Sequence, residues 1–156
     1  MSNKIILLIT MLAYSIIVSQ SFMYILALKD VQLKLEFNTY TEIRKLIDFS
    51  MRANFTYVIY AALLSNILLV LSNIKNPSSL IFITTTISLI ALIADVLLTL
   101  KGNLPINDII NTWSSDNYPK NWSEIRMQWF NIFQYRQIVN ITGWISLLIG
   151  AVFGSK

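Results

Sequence analysis

The chain has no cysteine and no histidine, and only four glycines and three prolines among its 156 residues. Each absence removes a class of chemistry. Without cysteine there is no disulfide framework and no thiol nucleophile. Without thiolate or imidazole, the usual ligands of haem, iron–sulfur clusters, zinc and copper are missing, so the sequence predicts no metal site and no cofactor of these kinds. Four glycines with no Gly-rich turn exclude a phosphate-cradling loop. Charge is scarce too: 13% of residues are charged and the formal net charge is +4. No basic run is interleaved with aromatics, so no nucleic-acid partner is expected.

What the chain has is apolar length. Hydrophobic residues make up 55% of it, gathered into four runs at about 5–28, 55–71, 80–100 and 134–153. Each approaches or exceeds the ~20 residues a helix needs to cross about 30 Å of hydrocarbon. The predicted fold class is therefore all-α, an integral membrane four-helix bundle forming one multi-pass domain over 1–156, in contact with membrane lipid. Both termini and the short turn 72–79 then share one side of the membrane. The long loops 29–54 and 101–133 share the other. Lys4 followed by Ile5–Val18 and Ser19-Gln20-Ser21 imitates a secretory signal, but the apolar character continues to Leu28, which predicts a retained helix.

Polar residues inside the runs are unevenly placed. Gln20 and Tyr24, Tyr57 and Tyr60, Asp95, and Arg136, Gln137 and Asn140 all fall in the half nearest the long loops. The other half reads as mostly Ile, Leu, Val and Phe. A site is expected at the polar end. Asp95 and Arg136 lie at similar depth from the same membrane face, and charged groups in hydrocarbon face a partner or a wet cavity. They form either an ion pair lining a ligand site or a pair that only fixes helix 3 against helix 4. Gln20 and Asn140 could equally be amide glue between helices, worth about 1 kcal/mol.

The long loops carry helix signals of their own. Thr39-Tyr40-Thr41-Glu42 and Asn121-Trp122-Ser123-Glu124 both have capping-box spacing. Tyr40, Ile43, Leu46 and Ile47 recur at helical intervals, with Arg44 and Asp48 on another face. Helix 2 is predicted to start near Tyr40, outside the bilayer. Helix 4 is predicted from Trp122 to Phe153, about 48 Å at 1.5 Å per residue. These two extensions would lid the polar half. Trp113, Trp122 and Trp129, with Asn103, Asn107 and Arg126, are either an interfacial aromatic belt or the wall of a pocket for a flat lipophilic ligand.

The stretch Asn103-Leu104-Pro105-Ile106-Asn107, then Trp113, Trp122, Arg126, Trp129 and Arg136, resembles the small four-helix membrane family that includes the anthrone oxygenases of aromatic polyketide pathways. The motif covers about a quarter of the chain; the four-helix topology extends the likeness to the rest. In those enzymes an Asn-His pair tends to precede the final Arg, whereas this chain reads Phe133-Gln134-Tyr135-Arg136 and has no imidazole to act as base. The resemblance implies cofactor-independent oxidation of a lipophilic aromatic molecule. Asp95 would be the base and Arg136 the catalytic cation, with Gln20 and Asn107 as donors to an oxyanion and Trp113 and Trp129 flanking the ring. Asn103, Trp122 and Arg126 complete the expected binding set. The alternative is non-enzymatic: a lipid- or quinone-binding protein, or an accessory subunit of a membrane complex with a membrane protein partner or a second copy of itself. Three Lys or Arg fall on the terminal side and nine on the long-loop side, which by the positive-inside rule points the long loops to the cytoplasm.

Overall fold

The computed structural model describes residues 3–154. They form four helices: α1 (Asn3–Lys34), α2 (Phe37–Ser72), α3 (Leu80–Asn111) and α4 (Trp122–Phe153). All four are long and apolar enough to cross a membrane, and no strand occurs among the described residues. The protein is an all-α, multi-pass membrane bundle. α3 packs along α4, α4 along α1, and α1 along α2; the contact that closes the ring, α2 against α3, is looser than the α1–α2 and α3–α4 seams.

The outside of the bundle is apolar, as a bilayer requires. Leu12, Ile16, Leu64, Ile90, Ile138 and Val152 are all exposed. The inner core holds Tyr14, Ile17, Leu69, Leu92 and Leu147. Gly143 and Gly150 let α4 approach its neighbours: a Cβ at Gly143 would overlap the Tyr14 hydroxyl and crowd Ala91, and one at Gly150 would overlap the Thr84 hydroxyl. Small residues at such contacts are how membrane helices gain close van der Waals packing.

α4 spans the predicted residues, but α2 begins at Phe37, three residues before Tyr40, and neither capping box forms. Glu36 is the N-cap of α2 and makes no side-chain cap bond. Asn121 caps α4 through its carbonyl, which accepts the Glu124 N–H, and not through its side chain. Tertiary packing sets the α2 start instead. Phe37 stacks on Tyr118 with centroids 3.7 Å apart and meets Trp122 edge-on at 5.5 Å.

The extensions are more general than the sequence suggested. α1 and α3 also run on, through Lys34 and Asn111, so most of 29–54 and 101–133 is helix. The α1–α2 corner is only Leu35 and Glu36. Both added extensions pass through a π-turn, Tyr24–Leu28 in α1 and Thr99–Asn103 in α3. Such turns insert one residue into a helix and occur often at functional sites. Their effect here is registration. Eight residues of straight α-helix overshoot two turns by about 80°. The inserted residue absorbs this, so Tyr24 and Gln32 share one buried face of α1, and Asp95, Asn103 and Asn107 share one face of α3.

The terminal half is apolar only on its outside. Its interior buries Thr10, Ser65, Asn66, Thr84, Thr85 and Ser88, polar residues that the sequence reading passed over or assigned no role.

Candidate functional site

A cavity of about 270 Å³ opens along the loose α2–α3 contact on the long-loop side. Its lateral walls are Ile47, Met51, Phe55 and Ile59 of α2, with Val96, Leu100 and Leu104 of α3. Its floor and upper end are polar. α2 contributes Arg44, Asp48 and Arg52, each one helical turn from the next; α3 contributes Asp95, Asn103 and Asn107; α4 contributes Trp129 and Arg136; and α1 reaches it with Gln20.

The polar groups form one connected chain. Arg136 donates from Nε to Asp95 Oδ1 at 2.7 Å, and both side chains are buried. Its Nη1 donates to Asn103 Oδ1 at 3.2 Å, while the Asn103 amide donates to the Trp129 carbonyl at 2.9 Å. Asn107 is the hub. Its Oδ1 accepts from Trp129 Nε1 at 2.8 Å and Arg44 Nη2 at 2.9 Å, and its amide donates to Asp48 Oδ1 at 2.7 Å. Asp48 Oδ2 also accepts from Asn111 and Arg52, both at 2.9 Å, and Arg52 reaches on to Asp108 at 2.6 Å. Two ladders at four-residue spacing therefore face each other: Arg44, Asp48 and Arg52 on α2, and Asn103, Asn107 and Asn111 on α3.

Charge in this chain balances. Three arginines (44, 52 and 136) meet three carboxylates (48, 95 and 108). Arg44 has no carboxylate partner at all among the described residues. It is held by Asn107, by the Tyr24 hydroxyl at 3.2 Å, and by the Trp129 ring, whose centroid lies 4.0 Å from its guanidinium carbon. Two buried atoms of cavity-lining side chains have no hydrogen-bond partner among the described residues: Asp95 Oδ2 and Arg44 Nε. Buried polar atoms are seldom left this way.

Of the residues singled out from sequence, the structure gathers Gln20, Asp95, Asn103, Asn107, Trp129 and Arg136 around this cavity. It places Trp113, Trp122 and Arg126 elsewhere. They belong to a cluster above the cavity with Phe37, Tyr40 and Ile110. There Arg126 lies 4.5 Å from the Trp122 ring centroid and donates to the carbonyls of Gln32 and Leu35, tying α4 to the α1–α2 corner. Tyr60 lines the cavity, whereas Tyr57 points outward.

Arg44, Asp48 and Arg52 were not among the expected site residues. The sequence set Tyr40, Ile43, Leu46 and Ile47 on one face of α2 and Arg44 and Asp48 on another; Tyr40 is buried and Ile47 lines the cavity, but Leu46 is 62% exposed, while Arg44 and Asp48 are 3% and 5% exposed. The available signal was the four-residue spacing of charges on α2 opposite the four-residue spacing of asparagines on α3. Reading it requires the two helices to be paired first.

No protein-family model, curated protein or solved structure matches the chain.

Proposed function

We propose that the protein binds a small, uncharged, lipophilic molecule, aromatic and bearing hydroxyl or carbonyl oxygens, which enters from the bilayer between α2 and α3. The observation that carries this reading is that two side chains lining one cavity, Asp95 and Arg44, each keep a buried polar atom without a partner among the described residues, the Asp95 Oδ2 acceptor and the Arg44 Nε–H donor. Each stays unsatisfied unless a ligand or water meets it, and an unmet buried polar group costs about 1–3 kcal/mol. The balanced charge of the surrounding chain disfavours a net anion or cation. The volume is near the lower end of the roughly 300–1,000 Å³ usual for small-molecule sites, which suits a ring system or a head group better than a whole lipid. The apolar walls of α2 and α3 suit an aromatic body.

Ile59→Trp tests this, because it fills the lipid-side mouth and leaves every polar partner in place. Protein purified in mild detergent is expected to carry an uncharged oxygenated aromatic detectable by mass spectrometry, and the Ile59→Trp variant to lose it while keeping its helical content. An empty wild-type protein that also fails to take up a hydroxyanthraquinone or menadiol probe sinks the reading.

A second reading, the anthrone-oxygenase-like one, draws support from the same free carboxylate oxygen beside a cation. In it Asp95 takes a proton from an acidic ring CH2, the carbanion electrons pass to dioxygen, and the net change converts that CH2 and one O2 into a carbonyl and water. Arg136 and Asn107 stabilise the developing oxyanion. Asp95→Asn is expected to abolish oxygen consumption with such a substrate in a still-folded protein; full turnover in that variant removes Asp95 from the chemistry.

A further inference from the structure

Every fourth residue of α2 from position 44 to position 60 lines the cavity: Arg44, Asp48, Arg52, Thr56 and Tyr60. Four residues of α-helix advance about 6 Å and overshoot one turn by about 40°. Over four such steps the row advances about 24 Å and turns about 160° around the helix, so it cannot stay on one face. Arg44 and Asp48 are buried, Arg52 is exposed over 44% of its side chain, Thr56 is exposed, and Tyr60 is 64% exposed. The row starts inside the polar network, crosses the lip of the cavity and ends on the lipid-facing side of the bundle.

That outer end has hydroxyls where hydrocarbon offers them nothing. Thr56 and Tyr60 fall within the apolar run 55–71. An interfacial belt accounts for a tyrosine near the membrane surface, but not for a row leading from it to Arg44. The facing lip on α3 is apolar, built from Val96, Leu100 and Leu104. The opening therefore has one polar and one apolar edge. The polar edge keeps capacity to spare. Thr56 donates to the Arg52 carbonyl at 3.0 Å, and its oxygen can still accept. Among the described residues Arg52 holds Asp48 through Nε and Asp108 through Nη2, which leaves Nη1 for another acceptor. Tyr57 is exposed as well, but it does not line the cavity.

We propose that this row is the entry path of the cavity. Tyr60 and Thr56 take the edge oxygen of an incoming lipophilic ring and pass it to Arg52, and so to the enclosed end at Arg44, while the ring slides over the apolar α3 lip. A hydroxyl or carbonyl moving between apolar side chains without a partner is strongly disfavoured; a partner at each turn keeps it paired throughout. The proposal rests on the binding reading above and adds which molecules are admitted, those with an oxygen at the ring edge. Tyr60 and Thr56 are positioning residues, touched in passage and released once the ligand is seated. Groups used only in passage change the rates of binding and release alike and leave the affinity unaltered.

The test uses the full chain in nanodiscs and a hydroxyanthraquinone, whose absorbance shift on uptake is followed by stopped flow with empty nanodiscs subtracted. Tyr60→Phe and Thr56→Val are each expected to slow both binding and release about fivefold, the effect of one neutral hydrogen bond lost from the crossing, with Kd within about twofold of wild type. The retained Kd also shows that each variant is folded. Tyr57→Phe removes a hydroxyl from the same helix at similar depth and is expected to match wild type. Wild-type rates in either Tyr60→Phe or Thr56→Val overturn the proposal. Equal slowing by Tyr57→Phe overturns it too, because the effect then belongs to the membrane surface. So does a weakened Kd with an unchanged binding rate, which puts the hydroxyls in the seat and not on the path. A wild-type protein that takes up no probe overturns the binding reading itself, and the path with it.

Discussion

Arg136→Ala is expected to be the most destabilising single change in the membrane-embedded part of the bundle, by about 3–5 kcal/mol. The variant leaves Asp95, which is wholly enclosed, as a charge with no counter-ion, and it also strips Asn103 Oδ1 of its donor. Taking two charges out of water is itself expensive, so the intact pair contributes much less than its removal costs. That asymmetry gives the prediction a second half. Asp95→Leu combined with Arg136→Met replaces the pair with apolar groups of similar size and is expected to recover most of the lost stability. Denaturation in detergent micelles, followed by circular dichroism, measures both. A single variant as stable as wild type would mean that Asp95 is protonated and Arg136 is not its counter-ion. Recovery of stability in the double variant without recovery of ligand would locate ligand binding in the charges themselves.

The same pair shows what could be read before any fold was known. Asp95 and Arg136 were legible because charge inside an apolar run is rare and costly, and because counting residues from one membrane face put them at the same depth. The four spans followed from length and hydropathy, and α4 kept its expected ends because no proline interrupts Trp122 to Phe153 and its two glycines, Gly143 and Gly150, sit at close helix contacts. The π-turns at Tyr24 and Thr99 left no such mark. A π-turn is one residue out of register, and it becomes visible only when the faces on either side are known to be buried. Arg44 and Asp48 could be placed from spacing only on a different face of α2 from Tyr40, Ile43, Leu46 and Ile47, with nothing to say that this face is buried. The structure buries the charges because Asn107 and Asn111 of α3 are there to meet them, while Leu46 and Phe49 are left exposed on the outer face. Trp113 and Trp122 do not line this cavity, for a related reason. Their sequence proximity to Asn107 is real, but the α3 extension ends between them, and the chain carries both indoles up to the Phe37 cluster.

Asn107→Leu is expected to loosen the upper half of the molecule while leaving the lower half intact. Asn107 makes three side-chain hydrogen bonds, to Arg44 and Asp48 of α2 and to Trp129 of α4, and so joins three helices. Leucine keeps the branched outline, with somewhat more bulk, and supplies none of them. The Trp129 indole N–H then has no acceptor and Arg44 loses its only amide partner, at about 1–3 kcal/mol for each orphaned group; a total of about 3 kcal/mol raises the open fraction of the extensions about a hundredfold. The core around Tyr14, Leu92 and Leu147 shares no residue with this network, so the loss should appear as local opening and not as global unfolding. Limited trypsin digestion in nanodiscs reads it directly: cleavage after Lys45, Arg52 and Arg126 is expected to accelerate sharply, with the melting of total helix only slightly shifted. Asn107→Asp sharpens the test. It keeps the acceptor for Arg44 and Trp129 but turns an oxygen toward the Asp48 carboxylate where an amide had donated. Should Asn107→Asp digest as slowly as wild type, Asp48 would not be held by Asn107, and the two facing ladders would not be the element that closes the cavity from above.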